Sequence, residues 1–162
     1  MISFRTLCKE RPGAYALAYT ELADVLRKVS AAPQEDVARS FRQMTFNAAF
    51  GNTDDHLKNF WMIYEEAGYR LSEAFDLLPD IGERRDHTLM FQFDYGPPAR
   101  GTLLDIALRW GIGTADAEAG LDAVLASIAR FAKVAEAHGV PPANIKFIAN
   151  DLKLRKARLA RG

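Results

Sequence analysis

Gly51-Asn52-Thr53-Asp54-Asp55-His56-Leu57-Lys58-Asn59 lies where the pattern of a 162-residue chain changes. Before it, Val37, Phe41, Met44 and Ala48, with Thr45, recur at helical spacing. Pro33 is tolerated in the first turn of such a helix and Gly51 suits its end, so the spacing predicts a helix from Pro33 to about Phe50. After the run, Phe60-Trp61-Met62-Ile63-Tyr64 is aromatic and β-branched, as strands are. Glu65-Glu66-Ala67-Gly68 supplies a turn, and Tyr69-Arg70-Leu71-Ser72 reads as the returning strand. The run is thus a loop between a helix and a hairpin, a place where a rigid scaffold aims side chains. From Asn52 to Asn59 it packs together two carboxylates, an imidazole, an ammonium and two amides.

Outward from the loop the chain reads as helical. Leu22, Val25, Leu26 and Val29 share a helix face, with Thr20 placed to cap it. Residues 1–18 carry little periodicity, and Arg11-Pro12-Gly13 signals a turn. His87 to Phe93 alternates in the manner of a further strand. Thr102 with Asp105 resembles a capping box before a helix ending near Trp110. A long helix is expected from Ala115 to His138, stopped by Gly139. Pro141-Pro142 then opens a last helix through Ile145, Ile148 and Leu152. The expectation is one domain over residues 1–162, mainly α with a small β-hairpin, with Trp61, Trp110 and Cys8 in its core. The last eight residues or so form a basic tail: Lys153, Arg155, Lys156, Arg158 and Arg161 stand against Asp151. Cations suit a helix C-terminus, and this reading is preferred to a nucleic-acid surface.

Composition sets bounds. Lys and Arg total 21, as do Asp and Glu, for a net charge of zero. That balance argues against a body built for nucleic acid or membrane surfaces. The 49% hydrophobic and 26% charged content excludes a disordered chain. No apolar run approaches the ~18 residues of a membrane span. Met1-Ile2-Ser3-Phe4-Arg5 lacks signal-peptide architecture. A single cysteine, Cys8, makes no internal disulfide, and a cytoplasmic location is expected.

The loop carries the chemistry. Asp54 and Asn59 stand as D-x-x-x-x-N, the spacing of the protein-kinase catalytic loop, where the Asp orients a substrate hydroxyl and the Asn holds magnesium. Phosphoryl transfer is mostly positioning and charge stabilisation, and magnesium needs only one or two protein oxygens beside nucleotide phosphates. A second carboxylate, Asp76, follows the hairpin, so a two-strand excursion returns it beside Asn59. It occupies the topological place of the D-F-G aspartate, although Phe75-Asp76-Leu77 lacks that triplet. By spacing alone, a solvated loop with helix-capping side chains fits equally well, and Asn52-Thr53 reads as a turn. Asp55-His56 as a transition-metal site is disfavoured. Adjacent side chains diverge, no partner His or Cys stands at ligand spacing, and His87 and His138 are isolated.

The nine-residue run, followed by Tyr69-Arg70-Leu71-Ser72-Glu73-Ala74-Phe75-Asp76-Leu77-Leu78-Pro79, resembles the C-terminal domain of HipA-type serine/threonine kinases, the toxin subunits of bacterial toxin–antitoxin systems. Ile2-Ser3-Phe4-Arg5-Thr6-Leu7 and Tyr19-Thr20-Glu21-Leu22-Ala23 also look like family sequence. The resemblance implies a protein-kinase-like C-terminal lobe with Asp54 catalytic and with Asn59 and Asp76 as magnesium ligands. His56 and Lys58 would shape the loop or contact phosphate. Magnesium and ATP would be the cofactors and a protein hydroxyl the substrate. A HipB-like helix-turn-helix antitoxin would be a partner. Direct nucleic-acid binding and membrane association are not expected. Ser72-Glu73-Ala74-Phe75 departs from the usual proline and tyrosine.

The larger departure is that none of the 11 glycines forms G-x-G-x-x-G. The family's N-lobe, with its nucleotide loop and lysine, is expected to be absent from this chain and supplied by an N-lobe-bearing chain. Two alternatives stand beside this. One is a catalytically inactive toxin domain that binds the antitoxin. The other is a small-molecule kinase akin to aminoglycoside phosphotransferases, which the Gly51–Asn59 run fits less well.

Overall fold

The structure, a computed structural model, describes residues 1–9, 18–80 and 86–160, with Lys9 by its backbone alone. The Arg11-Pro12-Gly13 turn and Arg161 lie outside the described residues. The elements run β1 (Ile2–Ser3), α1 (Phe4–Lys9), α2 (Tyr19–Val29), α3 (Pro33–Phe50), a 3-10 turn (Leu57–Asn59), β2 (Trp61–Glu65), β3 (Gly68–Leu71), α4 (Arg100–Arg109), α5 (Thr114–Ala129), α6 (Phe131–Ala137) and α7 (Pro142–Ala160). The fold is mainly helical with a small antiparallel sheet.

Helix α3 is the pillar. Pro33 sits in its first turn, where a missing N–H costs nothing, and Glu35 and Asp36 suit the positive end of its dipole. Gly51 ends it at φ +78°, a left-handed conformation that a side chain disfavours. The expected stripe of Val37, Phe41, Met44, Thr45 and Ala48 is buried, and so are Asp36, Ser40, Gln43 and Asn47. The buried surface is wider than one stripe because α2, α5, α7 and β3 all pack on this helix.

The hairpin pairs in the register Met62↔Leu71 to Glu65↔Gly68, leaving Glu66-Ala67 as a two-residue turn. The short β1 adds a third strand through Ile2↔Met62 and Ser3↔Trp61. Phe4 then enters α1 and packs edge-on against Phe60. Two residues are too few to show a period, so the aperiodic N-terminus concealed a strand.

Asp36, fully buried, ties three elements together. It accepts from Ser30 Oγ at 2.6 Å, Arg70 Nε at 3.1 Å and the Leu71 N–H at 2.9 Å. Burial pushes this carboxyl up, but the bonds from Arg70, Ser30 and Leu71 outweigh it and hold it below its ordinary value. Arg39 adds a bond from Nη1 to the Leu71 carbonyl at 3.0 Å.

Several local expectations are corrected. Thr20 is not a cap: α2 begins at Tyr19 after Ala18, and the Tyr19 N–H goes to the Met90 carbonyl at 3.1 Å, so a distant segment does the capping. Thr102 lies inside α4, which starts at Arg100 after Ala99. The long helix divides at Arg130 into α5 and α6. Residues 87–93 form no strand. Gln92 adopts φ +59°, Phe91 and Asp94 bridge each other, and Met90 bridges Ala18. Trp110 is core, whereas Trp61 is half-buried and its indole donates to the Lys58 carbonyl at 2.7 Å. The C-terminal residues up to Ala160 are helix, anchored by buried Leu152 and Leu159.

Candidate functional site

Consecutive carboxylates in the loop have opposite fates. The Asp54 side chain is 67% exposed and the Asp55 side chain 0%. Asp55 Oδ2 accepts from Tyr19 Oη at 2.5 Å and lies 2.8 Å from His87 Nδ1. Its Oδ1 accepts from the backbone N–H of Thr88 at 2.8 Å and of Leu89 at 3.3 Å. Burial, followed by the charge on Asp55, pushes the Tyr19 phenol well above its ordinary value, so it stays protonated and donates. Asn47 Nδ2 in turn donates to Tyr19 Oη at 2.9 Å. A buried carboxylate filled by four donors fixes the backbone beneath Asp54.

The loop is bound on both sides. Asn52 Nδ2 donates to Asn47 Oδ1 at 3.1 Å and, more weakly, to the Asp76 carbonyl at 3.4 Å. Thr53 Oγ1 donates to Asp80 Oδ2 at 2.7 Å, and the Asp80 N–H reaches the Gly51 carbonyl at 2.8 Å. The Thr88 N–H reaches the Thr53 carbonyl at 3.0 Å. Asn52 and Thr53 therefore do more than turn the chain: they fasten the loop to the segment that carries Asp76.

Each expected site residue has a place. Asn59 is 6% exposed, and its Nδ2 donates to the Asp54 carbonyl at 3.1 Å. With that nitrogen engaged, the amide oxygen is the atom left for a cation. Asp76 is exposed and adopts φ +55°, a conformation uncommon outside glycine. Such backbone is often found at functional sites. His56 Nε2 lies 3.8 Å from Asp54 Oδ2, and Lys58 is exposed. The donors Asp54, Asn59 and Asp76 are hard oxygens, the kind magnesium prefers. Among the described residues no three His, Cys, Asp or Glu side chains converge as a metal-holding group. Asp55 and His56 serve different neighbours, so they do not act as a pair.

The match to known proteins extends beyond the loop. Residues 1–153 match the HipA-like C-terminal domain. The chain belongs to that family. A protein of Sinorhizobium fredii (strain NBRC 101917 / NGR234) that bears the name of a candidate kinase, Y4mE, is 35% identical over 63 residues, which are 39% of this chain and 15% of that protein. The fold is that of HipA in the Shewanella oneidensis MR-1 complex of HipA, HipB and operator DNA, with TM-score 0.69, 19% identity and 95% of this chain covered. The HipA-like domain spans 37% of that HipA chain, so both relatives are much longer than the part it matches.

Sequence reasoning gave Tyr19 and Asn47 no part in the site, weighed Asp55 only as a disfavoured metal ligand, and read as isolated the His87 that the structure bonds to Asp55. The one available signal was Asp55 itself, a second carboxylate beside Asp54 with no solvent-facing role assigned. Its partners come from 36 residues before and 32 after, separations that carry no local pattern. No helix among the described residues is long and apolar enough to cross a membrane.

Proposed function

We propose that the chain is the C-terminal catalytic lobe of a HipA-like serine/threonine protein kinase of a toxin–antitoxin system. Asp54 orients the substrate hydroxyl and accepts its proton. Asn59 Oδ1 and the Asp76 carboxylate hold magnesium, and His56 and Lys58 shape the loop and meet phosphate. Bound magnesium and ATP would supply the phosphoryl group and neutralise its developing charge. Further polypeptide bearing an N-lobe would provide the glycine-rich loop and lysine. The observation that carries the reading is the division of labour in Asp54-Asp55: one carboxylate is locked inside by four donors, and its neighbour is exposed on a loop tied to Asn59 through the Asp54 carbonyl.

The test combines the chain with an N-lobe-bearing partner, ATP and magnesium, and follows phosphate transfer to protein. Transfer that Asp54→Asn abolishes supports the assignment, and transfer indifferent to that change sinks it.

The second reading is an antitoxin-binding module without catalysis. It is favoured by the structural relative, which was solved together with HipB and operator DNA. Titration calorimetry separates the two: ATP–magnesium heat in the complemented protein favours the kinase, and its absence alongside tight binding of a helix-turn-helix antitoxin favours the module.

A further inference from the structure

The C-terminal helix reaches the start of the site. A Cβ placed on Gly51 would lie 2.6 Å from Arg155 Nε, 2.7 Å from its Cζ and 3.0 Å from Nη2. The flat guanidinium therefore rests directly on the Cα of Gly51, in room that only glycine leaves. Gly51 is also a junction. Its N–H closes α3 onto the Asn47 carbonyl at 2.9 Å, its carbonyl receives the Asp80 N–H at 2.8 Å, and the Asp54 loop departs from it.

Arg155 is held for this contact. Its Nε donates to Asp151 Oδ2 at 2.6 Å, one turn earlier in α7, and its side chain is 10% exposed. Nη1 is buried with no hydrogen-bond partner. An under-paired buried guanidinium is costly, and an apolar side chain would fill the space without that cost. What an apolar side chain lacks is charge. The last turn of α3 contains no basic residue, and a cation from α7 stands at that negative helix end. A lysine would bring charge without the plane. One turn further on, Arg158 Nη1 donates to the Pro97 carbonyl at 2.8 Å, which fastens α7 to the chain that follows the Asp55 partners. Arg155 lies just past the residues matched by the family, 1–153.

We propose that Arg155 is a positioning residue: the Asp151–Arg155 pair clamps Gly51 and so fixes the hinge between the Asp54 loop and the Asp76 segment. This rests on the phosphotransfer reading of the loop. The consequence is that the end of α7, whose last residues read as a basic tail, controls the geometry of the site from behind.

The test is amide hydrogen exchange by NMR on the 162-residue chain without nucleotide, paired with the complemented transfer assay. In Arg155→Met, which keeps the stem and removes the guanidinium, the Asn52 and Asp80 amides at the hinge should exchange about tenfold faster or more, while the Ala31 and Leu71 amides at the far end keep their rates. Transfer should fall in the same variant. Asp151→Ala, a milder change at a residue 41% exposed, should show the same ordering with a smaller effect if Arg155→Met does not fold. Unchanged hinge amides, equal acceleration at all four amides, or faster hinge exchange with undiminished transfer each overturn the proposal. Failure of the kinase reading looks different, because there Asp54→Asn leaves transfer intact whatever the exchange rates do.

Discussion

Asp36 and Asp55 are both aspartates with no exposed surface, and they are satisfied in different ways. Asp36 is paired with a cation, Arg70, and joins the end of α2, the start of α3 and β3. Asp55 is surrounded by a phenol, an imidazole and two backbone N–H groups, and it joins a loop to two distant segments. The first holds elements that already have regular hydrogen bonding. The second replaces regular hydrogen bonding where the chain has none. A charge anchor at the scaffold end ties elements that carry their own ladders, whereas the loop that presents Asp54 is held by the donors around Asp55 together.

The comparison breaks most visibly if Asp55 proves dispensable. Asp55→Ala strands the Tyr19 hydroxyl, His87 Nδ1 and the Leu89 N–H, while the Thr88 N–H keeps the Thr53 carbonyl, and should cost about 3–5 kcal/mol in denaturant unfolding, with the loop amides losing protection first. A loss under about 1 kcal/mol would mean that the loop is held by something else.

Asp36→Ala should cost less, about 1–3 kcal/mol, because Arg70 keeps Glu35 at 2.9 Å as a partner. The amides of Asn52 and Thr88 should keep their protection in that variant. Asp36 also predicts an acid response. Its folded pKa lies below the ordinary 3.8, so the unfolded chain takes up the proton first. Its contribution is present above that value and is lost as pH falls from about 5 through the folded pKa. Asp36→Asn should flatten this acid limb of stability, and an unchanged limb would contradict the pairing. The smallest effect is expected for Tyr19→Phe, which removes one donor of four from Asp55 and the acceptor of Asn47 Nδ2, and should cost about 1–2 kcal/mol with the fold retained.

The contrast also explains what could be read from sequence. The Pro33–Phe50 helix, its Gly51 stop and the hairpin are local patterns, and each stands in the structure within a residue of where the residues indicated. The alternation from His87 to Phe93 misled because those residues bond to Asp55, Thr53 and Ala18 rather than to a neighbouring strand. Thr20 and Thr102 misled because backbone contacts and packing set where α2 and α4 begin. The break at Arg130 carries neither glycine nor proline, so nothing local announced it. The supports of the site, Tyr19, His87 and Arg155, meet it only through the tertiary fold.

The most direct test compares one chemical change at two aspartates, measuring single-turnover phosphate transfer in the N-lobe-complemented protein below its melting temperature. Asp54→Asn should lower the rate on the order of 10²–10⁴-fold with folding intact, and Asp36→Asn should leave it near wild type while the protein stays folded. Transfer at the wild-type rate in Asp54→Asn, or an equal loss in a folded Asp36→Asn, would contradict the account.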